Sequence, residues 1–439
     1  MKVAVIGAGW AGLAAAAALR EADAKVTVFE AGRTPGGRAR RVVHPAFGAD
    51  LDNGQHVMLG AYSETLALMR RLGRNPDALL MRRPLRLTSL DRQFLLSAPP
   101  LPAPLHAAAG LLLARGLSLG EKFAALRLVR ALQHCHWQPP RDWTVASLLD
   151  YHAQPEAVVR NVWAPLCLAA LNTPLVQASA SLFATVLLDT LDGHRRNSDV
   201  LLPCVDLSAL WPDVVALQVK MRYGDTVRRL QPSAGAVDVN DESFDAAVVA
   251  VPPAIAARLL GNALRGSQSP GLLRALQAFE YQPIATLNLR LAAPWSLPEP
   301  MMMLRENPER GQVGQWLFDR ARLTGKSKTG ELALVSSAAA TVANMERQNA
   351  IDALVGQIQE QAAKAGLPPL PAVEVAELFI EKRATFASVP KLTRPLNSTP
   401  WPNLALAGDW TDTGYPGVLE GAVRSGLAAA RVLLSARAD

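Results

Sequence analysis

The first thirty residues constrain the fold of this chain more than any other segment. An apolar run, Lys2–Ile6, leads into a cluster of glycines, then into a stretch of strong helix formers from Ala11 to Ala22, and then into a second apolar run, Lys25–Glu30. This order predicts a strand, a tight turn, a helix and a second strand. Such a β-α-β unit implies parallel strands joined by a right-handed crossover, so the expected fold class is α/β.

The glycine turn has the spacing of a dinucleotide-binding site. Its residues are Gly7, Ala8, Gly9, Trp10, Ala11 and Gly12. Glycines in this pattern allow a tight turn, let the backbone approach a pyrophosphate and let the helix pack closely on the strand. The helix then presents the positive end of its dipole to the phosphates. Glu30, with its neighbour Ala31, ends the second strand 18 residues after Gly12 and is placed to accept hydrogen bonds from ribose hydroxyls.

A second glycine motif follows closely. Gly36 and Gly37 permit another close approach of the backbone, and Arg38 adds a cation beside a phosphate. In isolation such a motif is equally well an ordinary loop, but coupled to the first motif it is much more specific. A nicotinamide dinucleotide has no need of it, whereas the longer FAD molecule does. The expected cofactor is therefore FAD.

A third motif lies near the other end of the chain. Gly408 and Asp409 follow an apolar strand, where backbone N–H groups can meet a diphosphate or a ribityl chain. A final helix is expected to begin just after Pro416, and its N-terminus can stabilise negative charge on a reduced flavin ring. Its first residues are Gly417, Val418 and Leu419. The alternative is a C-terminal helix that only packs on the sheet.

Between these motifs the chain changes character. A proline-rich stretch, Ser97–Pro104, is followed by mainly helical sequence, and strand patterns return from Asp245, with one long helix expected over Val342–Ala365. The cofactor motifs lie at both ends and in the middle of the chain, which favours two interleaved domains over two consecutive ones. We expect a discontinuous FAD-binding domain of residues 1–90, 196–270 and 395–439, and a mixed α+β substrate domain of residues 91–195 and 271–394.

Composition excludes several classes of protein. The 439 residues are 50% hydrophobic but only 5% aromatic, with a formal net charge of +7. So apolar a chain is not disordered, yet it contains no long uncharged run that would span a bilayer. The cations are diluted along the chain, so we expect no nucleic-acid partner, and an anionic membrane surface is the better partner. Three cysteines without a CxxC pair predict no metal site and fit a reducing compartment.

The three motifs, in this order, resemble those of the flavin amine oxidase superfamily. The resemblance implies a Rossmann-like FAD-binding domain of the glutathione-reductase type, and it places Val227 on a strand that touches the adenine. Amine oxidases usually carry an aromatic residue where this chain has Val418, so an aromatic cage for an amine is not expected. No cysteine follows Cys204, and the FAD is therefore expected to be bound noncovalently.

A narrower resemblance is to the hydroxysqualene dehydroxylases. It is carried by four segments, residues 52–62, 165–174, 206–210 and 384–386, which read DNGQHVMLGAY, PLCLAALNTP, DLSAL and ATF. The resemblance implies reductive dehydroxylation of hydroxysqualene to squalene, on the route to hopanoids, with hydride from reduced FAD. It also places Gly54, Gln55 and His56 beside the isoalloxazine, where His56 could protonate the leaving hydroxyl. Tyr415 is a second candidate at the flavin, and for both side chains ordinary packing is the alternative.

The sequence leaves two other functions open. A phytoene-type isoprenoid desaturase shares every flavin motif and would run the flavin in the oxidative direction. A non-catalytic escort for prenylated lipids would keep the fold without chemistry, although the intact glycine motifs argue against it. An isoprenoid substrate favours a cytoplasmic protein held peripherally at the inner face of the cytoplasmic membrane, with membrane-facing helices near residues 99–134. The sequence identifies neither the external reductant nor the oligomeric state.

Overall fold

The computed structural model describes residues 1–47, 49–265 and 270–436. The strands are β1 (Lys2–Ile6), β2 (Lys25–Glu30), β3 (Arg41–His44), β4 (Ala49–Asp52), β5 (Met58–Leu59), β6 (Leu80–Arg83), β7 (Arg86–Thr88), β8 (Leu95–Ser97), β9 (Val200–Pro203), β10 (Lys220–Tyr223), β11 (Leu230–Pro232), β12 (Val237–Val239), β13 (Glu242–Phe244), β14 (Ala246–Val249), β15 (Tyr281–Leu291), β16 (Met301–Met303), β17 (Trp316–Asp319), β18 (Glu331–Ser337), β19 (Val373–Phe386) and β20 (Leu404–Leu406).

The α-helices are α1 (Trp10–Glu21), α2 (Ser63–Arg71), α3 (Pro76–Leu79), α4 (Leu105–Leu112), α5 (Leu119–His134), α6 (Val145–Tyr151), α7 (Glu156–Val158), α8 (Ala164–Leu171), α9 (Ala180–Leu191), α10 (Leu207–Leu210), α11 (Pro212–Gln218), α12 (Pro253–Arg265), α13 (Pro270–Gln277), α14 (Arg320–Thr324), α15 (Ala340–Asn344), α16 (Arg347–Lys364) and α17 (Leu419–Ser435). A turn of π-helix, Val159–Trp163, joins α7 to α8. Short 3-10 turns occupy Pro45–Phe47, Arg195–Ser198 and Pro308–Arg310.

A parallel sheet contains the N-terminal unit, with strand order β10-β2-β1-β14-β20. Neighbouring strands are parallel throughout, and Val5 lies opposite Val28 on one side and Val248 on the other. The strands are continuous apolar runs because helices cover one face, and helices and the small sheet β11-β12-β13 cover the other. The predicted β-α-β unit is confirmed, since β1, α1 and β2 lie within one residue of their expected bounds.

Helix α1 is buried between this sheet and α17, and small residues make the close packing possible. A Cβ atom on Gly426 of α17 would lie 2.1 Å from the carbonyl oxygen of Ala11, and one on Gly12 would lie 2.0 Å from that of Gly7. Alanines fill the rest of this face of α1, and all of residues 14–17 are buried. The N-terminus of α1 is therefore held tightly at the end of β1.

A second sheet is antiparallel, with strand order β16-β17-β18-β15-β19. Its side chains alternate between two faces. One face packs on α16 through residues such as Leu287, Leu317 and Leu334. The opposite face carries Trp316 and Phe318 and shares a core with the helices from α5 to α9. The stretch of the chain expected to be mainly helical thus covers one face of the antiparallel sheet.

The prediction of one long helix over Val342–Ala365 is wrong, because the structure has two helices there, α15 and α16. Met345 adopts an extended conformation and ends α15. Glu346 then begins a new helix, since its side chain accepts a hydrogen bond from Asn349 N at 2.9 Å and so caps the N-terminus of α16.

Two further expectations about element bounds are wrong. Val227, expected on a strand, lies in the loop between β10 and β11. The final helix begins at Leu419 rather than at Gly417, because Val418 has extended backbone angles and forms the N-cap.

The division into two interleaved domains stays a prediction. Residues 48, 266–269 and 437–439, which the expected FAD-binding domain includes, lie outside the described residues. Within the described part of the chain, no helix combines the length and the apolar character needed to cross a bilayer.

Candidate active site

The glycine turn between β1 and α1 is tightly packed at Gly7 and Gly12 and has free space beside Gly9. Gly7 has φ +104°, and a Cβ atom there would lie 2.4 Å from the carbonyl oxygen of Ala250. A side chain on Gly12 would collide with the same turn, whereas a Cβ on Gly9 would meet no described atom within 4 Å. Gly7 and Gly12 are therefore required by the packing of the protein itself, while Gly9 leaves space at the N-terminus of α1.

Glu30 ends β2 directly beside this turn. Its Oε2 accepts a hydrogen bond from Ala8 N at 2.8 Å, and its Oε1 accepts one from Gly32 N at 2.7 Å. Ala31, which lies between Glu30 and Gly32 in the chain, is exposed. A carboxylate offers about four acceptor positions, so Glu30 can accept further hydrogen bonds from hydroxyl groups of a ligand.

The second glycine motif lies against the first. Gly36 N donates a hydrogen bond to Ala8 O at 2.8 Å, and a Cβ atom on Gly37 would lie 3.0 Å from the Cα of Gly9. Gly36 and Gly37 both have positive φ, at +107° and +62°. Trp10, at the start of α1, holds the end of the second motif in place, because its Nε1 donates a hydrogen bond to Ala39 O at 3.0 Å. The two motifs that the sequence predicts to meet phosphates are thus neighbours.

Arg38 joins the second motif to the third. Its Nη2 forms an ion pair with Asp409 Oδ1 at 2.8 Å, and its Nη1 donates to Ala384 O at 2.7 Å. The negative charge of Asp409 raises the pKa of Arg38 above its usual value. Arg38, which the sequence predicts beside a phosphate, therefore also orients Asp409. It connects the second motif, near the N-terminus, with the third motif, near the C-terminus, and with strand β19.

Arg394 holds the loop that follows Asp409, and sequence analysis missed it. Its guanidinium donates to the carbonyl oxygens of Asp409 (2.7 Å), Thr411 and Tyr415 and to the hydroxyl of Thr413 (3.1 Å). Burial lowers the pKa of Arg394 to about 10. The only signal in the sequence was indirect: a loop without regular structure needs donors for its carbonyl groups.

Tyr415 is buried next to the start of α17. Its hydroxyl accepts a hydrogen bond from Arg424 Nη2 at 3.2 Å, and the guanidinium of Arg424 lies 4.0 Å from the centre of the ring. Arg424 also donates to Glu420 at 2.8 Å. Glu420 is fully buried and accepts hydrogen bonds from Thr65 N (3.0 Å) and Thr65 Oγ1 (2.7 Å) at the N-terminus of α2. These contacts anchor the start of α17.

Gly54, Gln55 and His56 follow β4 and face strand β15. A Cβ atom on Gly54 would lie 3.5 Å from Thr286 Oγ1. His56 Nδ1 lies 2.7 Å from Gly54 O, so the proton is assigned to Nδ1 and Nε2 is left as an acceptor. Burial lowers the pKa of His56 below its usual value, and the charge of Arg38 lowers it further. This segment is therefore close to the Arg38 motif, and its place beside the isoalloxazine stays a prediction.

The remaining predicted residues lie at the edges of this region. Val227 is buried, with Ile6 and Phe29, in the core between the parallel sheet and the small sheet β11-β12-β13. Gly417 packs against β19, where a Cβ atom would lie 3.2 Å from the Cβ of Thr385. Val418 and Leu419 are the N-cap and first residue of α17.

The sheet face opposite α16 lies next to Gly54. On β15, Thr286 and Asn288 point to this face; the neighbouring strands add Val335, Ala333, Trp316, Phe318 and Met303. Two donors on this face, Asn288 Nδ2 and Trp316 Nε1, are buried and have no hydrogen-bond partner among the described residues. Asn288 is only 1% exposed. Sequence analysis missed both residues, since a single Asn or Trp in a strand has no recognisable pattern.

These residues fit an FAD molecule. The space at Gly9 lies at a helix N-terminus, which favours a diphosphate. Glu30 has acceptor capacity for a ribose, and Arg38 and Asp409 carry the charges that the rest of the cofactor can meet. No group of three His, Cys, Asp or Glu side chains that could hold a metal ion occurs in the part of the chain that the structure describes.

Comparison with known proteins agrees with this assignment. The sequence model of the flavin containing amine oxidoreductase family matches residues 10–434. The chain is 31% identical to hydroxysqualene dehydroxylase from Rhodopseudomonas palustris and 29% identical to that from Sinorhizobium fredii, with 98% of each chain covered in both cases.

Solved structures share the fold. A protein described as a putative protoporphyrinogen oxidase, from Exiguobacterium, superimposes with a TM-score of 0.69 at 14% identity, covering 100% of this chain and 99% of the other. Cyclohexylamine oxidase from Brevibacterium oxydans gives a TM-score of 0.70 at 19% identity, covering 99% of each chain. The predicted fold class and the predicted FAD cofactor are confirmed. The chain therefore belongs to the flavin containing amine oxidoreductase family and is an FAD-dependent oxidoreductase.

Proposed function

We propose that this enzyme converts hydroxysqualene to squalene, on the route to hopanoids. The proposal is supported by the relatives named hydroxysqualene dehydroxylase, which match 98% of the chain at 26–31% identity. In this reaction the hydroxyl group takes a proton and leaves as water, and the carbon that carried it takes a hydride. FAD in its reduced form supplies the hydride; the external reductant that reduces it is not identified.

The cofactor is proposed to be held noncovalently by all three motifs. Gly7 to Gly12 and Glu30 with Ala31 would hold the adenosine diphosphate half, with Val227 near the adenine. Gly36, Gly37, Arg38, Gly408 and Asp409 would hold the central part. Gly54, Gln55, His56, Gly417, Val418 and Leu419 would surround the isoalloxazine. In the proposed domain division, residues 1–90, 196–270 and 395–439 form the FAD-binding domain, and residues 91–195 and 271–394 form the substrate domain.

The observation that most favours an alcohol as substrate is a pair of buried donors on the sheet face next to Gly54, for which the described residues offer no acceptor. Buried donors without partners are costly, and Asn288 Nδ2 and Trp316 Nε1 lie among Val335, Phe318 and Met303. A hydrocarbon such as phytoene offers these donors nothing, whereas a hydroxyl oxygen can accept from one of them. The apolar surroundings suit the isoprenoid chain and exclude water, which would otherwise restore the alcohol.

Replacing Asn288 by leucine is expected to remove part of the preference for the alcohol. Leucine is close to asparagine in size and shape, so the main change is the lost donor. One neutral hydrogen bond is worth about 0.5–1.5 kcal/mol, so the affinity of hydroxysqualene relative to squalene should fall by roughly two- to tenfold. The ratio is measured by titrating both lipids against the oxidised holoenzyme and following the flavin spectrum. Asn344→Leu, at an exposed position on α15, is the control, and an unchanged ratio in N288L would contradict this role.

His56 and Tyr415 are the proposed catalytic side chains. His56 lies in the segment proposed to face the flavin, and in its protonated form it can give a proton to the leaving hydroxyl. Tyr415 can still donate its own hydroxyl hydrogen, because in its contact with Arg424 it acts as the acceptor.

Peripheral contact with the membrane is proposed through one exposed surface. Six large apolar side chains on or beside α4 and α5 are between 40% and 70% exposed: Leu101, Leu105, Leu112, Leu113, Leu119 and Phe123. We call this surface the apolar patch. Arg115 and Arg127, both exposed, lie in the same stretch. Apolar groups beside cations fit the interface of an anionic bilayer, which agrees with a cytoplasmic protein at the inner face of the cytoplasmic membrane.

The double variant Leu113→Ser/Phe123→Ser is expected to bind anionic vesicles at least roughly tenfold more weakly, because each of these side chains contributes about 1.5–3 kcal/mol when fully buried. Co-sedimentation with vesicles of phosphatidylglycerol and phosphatidylethanolamine measures the affinity. Leu217→Ser is the matched control, since Leu217 is 88% exposed but lies on α11, outside the patch. Equal binding by all three proteins would exclude the apolar patch as the contact.

The escort alternative does not agree with the match to the flavin containing amine oxidoreductase family. The desaturase alternative is tested by turnover, since it predicts oxidation of phytoene by the oxidised enzyme and no consumption of hydroxysqualene.

A further inference from the structure

A cavity of about 420 Å³ lies where β15 ends and β18 begins, and the segment after α14 lines it. Its lining contains Gln55 and charged side chains of both signs: the basic residues are Arg290, Arg320, Lys326 and Lys328, and the acidic residues are Asp52, Asp206, Glu331 and Glu374. Phe47, Val205 and Leu323 add apolar wall. Its volume falls within the range of about 300–1,000 Å³ that is usual for small-molecule sites. No residue of the cavity except Gln55 belongs to the proposed cofactor or catalytic site.

Arg320 is the unusual member of this lining. Its side chain belongs to a residue that is only 8% exposed, and its Nε has no hydrogen-bond partner among the described residues. Three of the four acidic residues of the lining have other partners. Glu331 is paired with Arg290 at 3.0 Å, Asp206 is paired with Arg41 at 3.0 Å, and Asp52 accepts a hydrogen bond from Leu207 N at 2.8 Å. The fourth, Glu374, is exposed.

A buried guanidinium is costly, because the charge has lost much of its hydration. The negative charges of Asp52 and Glu331 offset part of that cost, but Nε of Arg320 finds no acceptor among the described residues. Lys326 and Lys328 add two exposed cations at the rim of the same cavity. A guanidinium presents planar pairs of donors that match the oxygens of a carboxylate or phosphate. An anionic oxygen group in the cavity would therefore complete the contacts that Arg320 lacks.

We propose that this cavity, the Arg320 cavity, binds the phosphate or carboxylate group of a small soluble ligand, with Arg320 as its main partner. The ligand is larger than a bare ion, because the cavity also offers Phe47 and Leu323 to an organic part. Gln55 is shared with the segment proposed to face the flavin, so the ligand lies next to that segment. The binding site does not depend on which lipid the enzyme converts.

Binding of the anion is coupled to a proton on Asp52. Burial raises the pKa of Asp52 to about 7; the hydrogen bond from Leu207 N and the charges of Arg320 and Arg41 lower it, and the charge of Asp206 raises it. An anion on Arg320 cancels the charge that favours ionised Asp52. The carboxyl group therefore takes up a proton when the anion binds, and the affinity for the anion falls as the pH rises through 7.

Calorimetric titration of the holoenzyme with inorganic phosphate, and separately with acetate, tests the proposal. We expect saturable binding, and loss of at least tenfold in affinity in Arg320→Met. Arg322→Met, an exposed arginine on the same short helix, should bind as the unchanged protein does. The dependence on pH is read with acetate, because acetate keeps one negative charge from pH 6 to pH 8 whereas inorganic phosphate gains charge over this range. Acetate should bind more weakly at pH 8 than at pH 6, and Asp52→Asn should bind acetate without this dependence on pH.

The two probes also separate the ligand classes, since binding of phosphate but not acetate indicates a phosphate ester and the reverse indicates an organic acid. Arg320→Lys keeps the charge and should retain part of the affinity, which guards against a misfolded Met variant. The proposal is overturned if neither anion binds at millimolar concentration, or if Arg320→Met and Arg322→Met bind equally to the unchanged protein.

Discussion

Replacing Gly9 by alanine is expected to weaken FAD binding while leaving the fold intact. A Cβ atom at Gly9 meets no described atom within 4 Å, and the residue has φ −71°, which any amino acid adopts. The added methyl group instead points into the space proposed for the diphosphate. Overpacking by one methyl group costs about 1–3 kcal/mol, so the affinity for FAD should fall roughly 5- to 150-fold.

The measurement is titration of deflavinated protein with FAD, together with the unfolding temperature of the same protein without FAD. The unfolding temperature should change little, since alanine at an N-cap costs at most about 1 kcal/mol more than glycine. Gly356→Ala is the control, because Gly356 lies within α16 and a Cβ there also meets no described atom. If G9A binds FAD as tightly as the unchanged protein, the diphosphate does not lie at this turn.

Replacing His56 by glutamine is expected to lower the rate of dehydroxylation by about 10²–10⁴-fold, the usual contribution of a general acid. Glutamine can still donate to Gly54 O, so the local backbone is preserved. The rate of the unchanged enzyme should also fall as the pH rises, because only protonated His56 can give up a proton and burial with the charge of Arg38 holds its pKa below 6.5. The pH profile, taken with saturating hydroxysqualene, shows the decline.

The variant separates a proton donor from a packing residue. His56→Gln should lose the decline with pH as well as the rate, and it should keep the flavin spectrum. His134→Gln, at an exposed position on α5, should change neither. A His56→Gln enzyme with full activity would leave Tyr415 as the remaining candidate among the two proposed side chains.

The features predicted correctly from the sequence are those whose signals are local. The unit β1-α1-β2 and the turn from Gly7 to Gly12 are predicted by residues close together in the chain. Gly12 is glycine because a side chain there would collide with the turn itself, whereas Gly7 has a positive φ and would also collide with Ala250 at the end of β14. The break between α15 and α16 was missed because Glu346 is a strong helix former and not one of the usual N-cap residues. In the structure Met345 and Glu346 are both extended, and Glu346 caps α16.

The features that were missed depend on partners brought together by the tertiary fold. Arg394 acts on carbonyl groups 15 to 21 residues further along the chain, in a loop that has no sequence pattern of its own. Asn288 can be recognised as a buried donor among apolar side chains only once its neighbours on the sheet are known. Arg320 stands out only because burial leaves its Nε without an acceptor among the residues that the structure describes. Contacts between residues far apart in the chain depend on the tertiary fold and leave no pattern in the sequence.

Single turnover of the reduced enzyme tests the proposed function most directly. The holoenzyme is photoreduced without oxygen, mixed with hydroxysqualene, and the extracted lipid is analysed by mass. The proposed function predicts one squalene for each reduced flavin, with the flavin returning to its oxidised spectrum. Unchanged hydroxysqualene with flavin that stays reduced, while the oxidised enzyme desaturates phytoene, would contradict it.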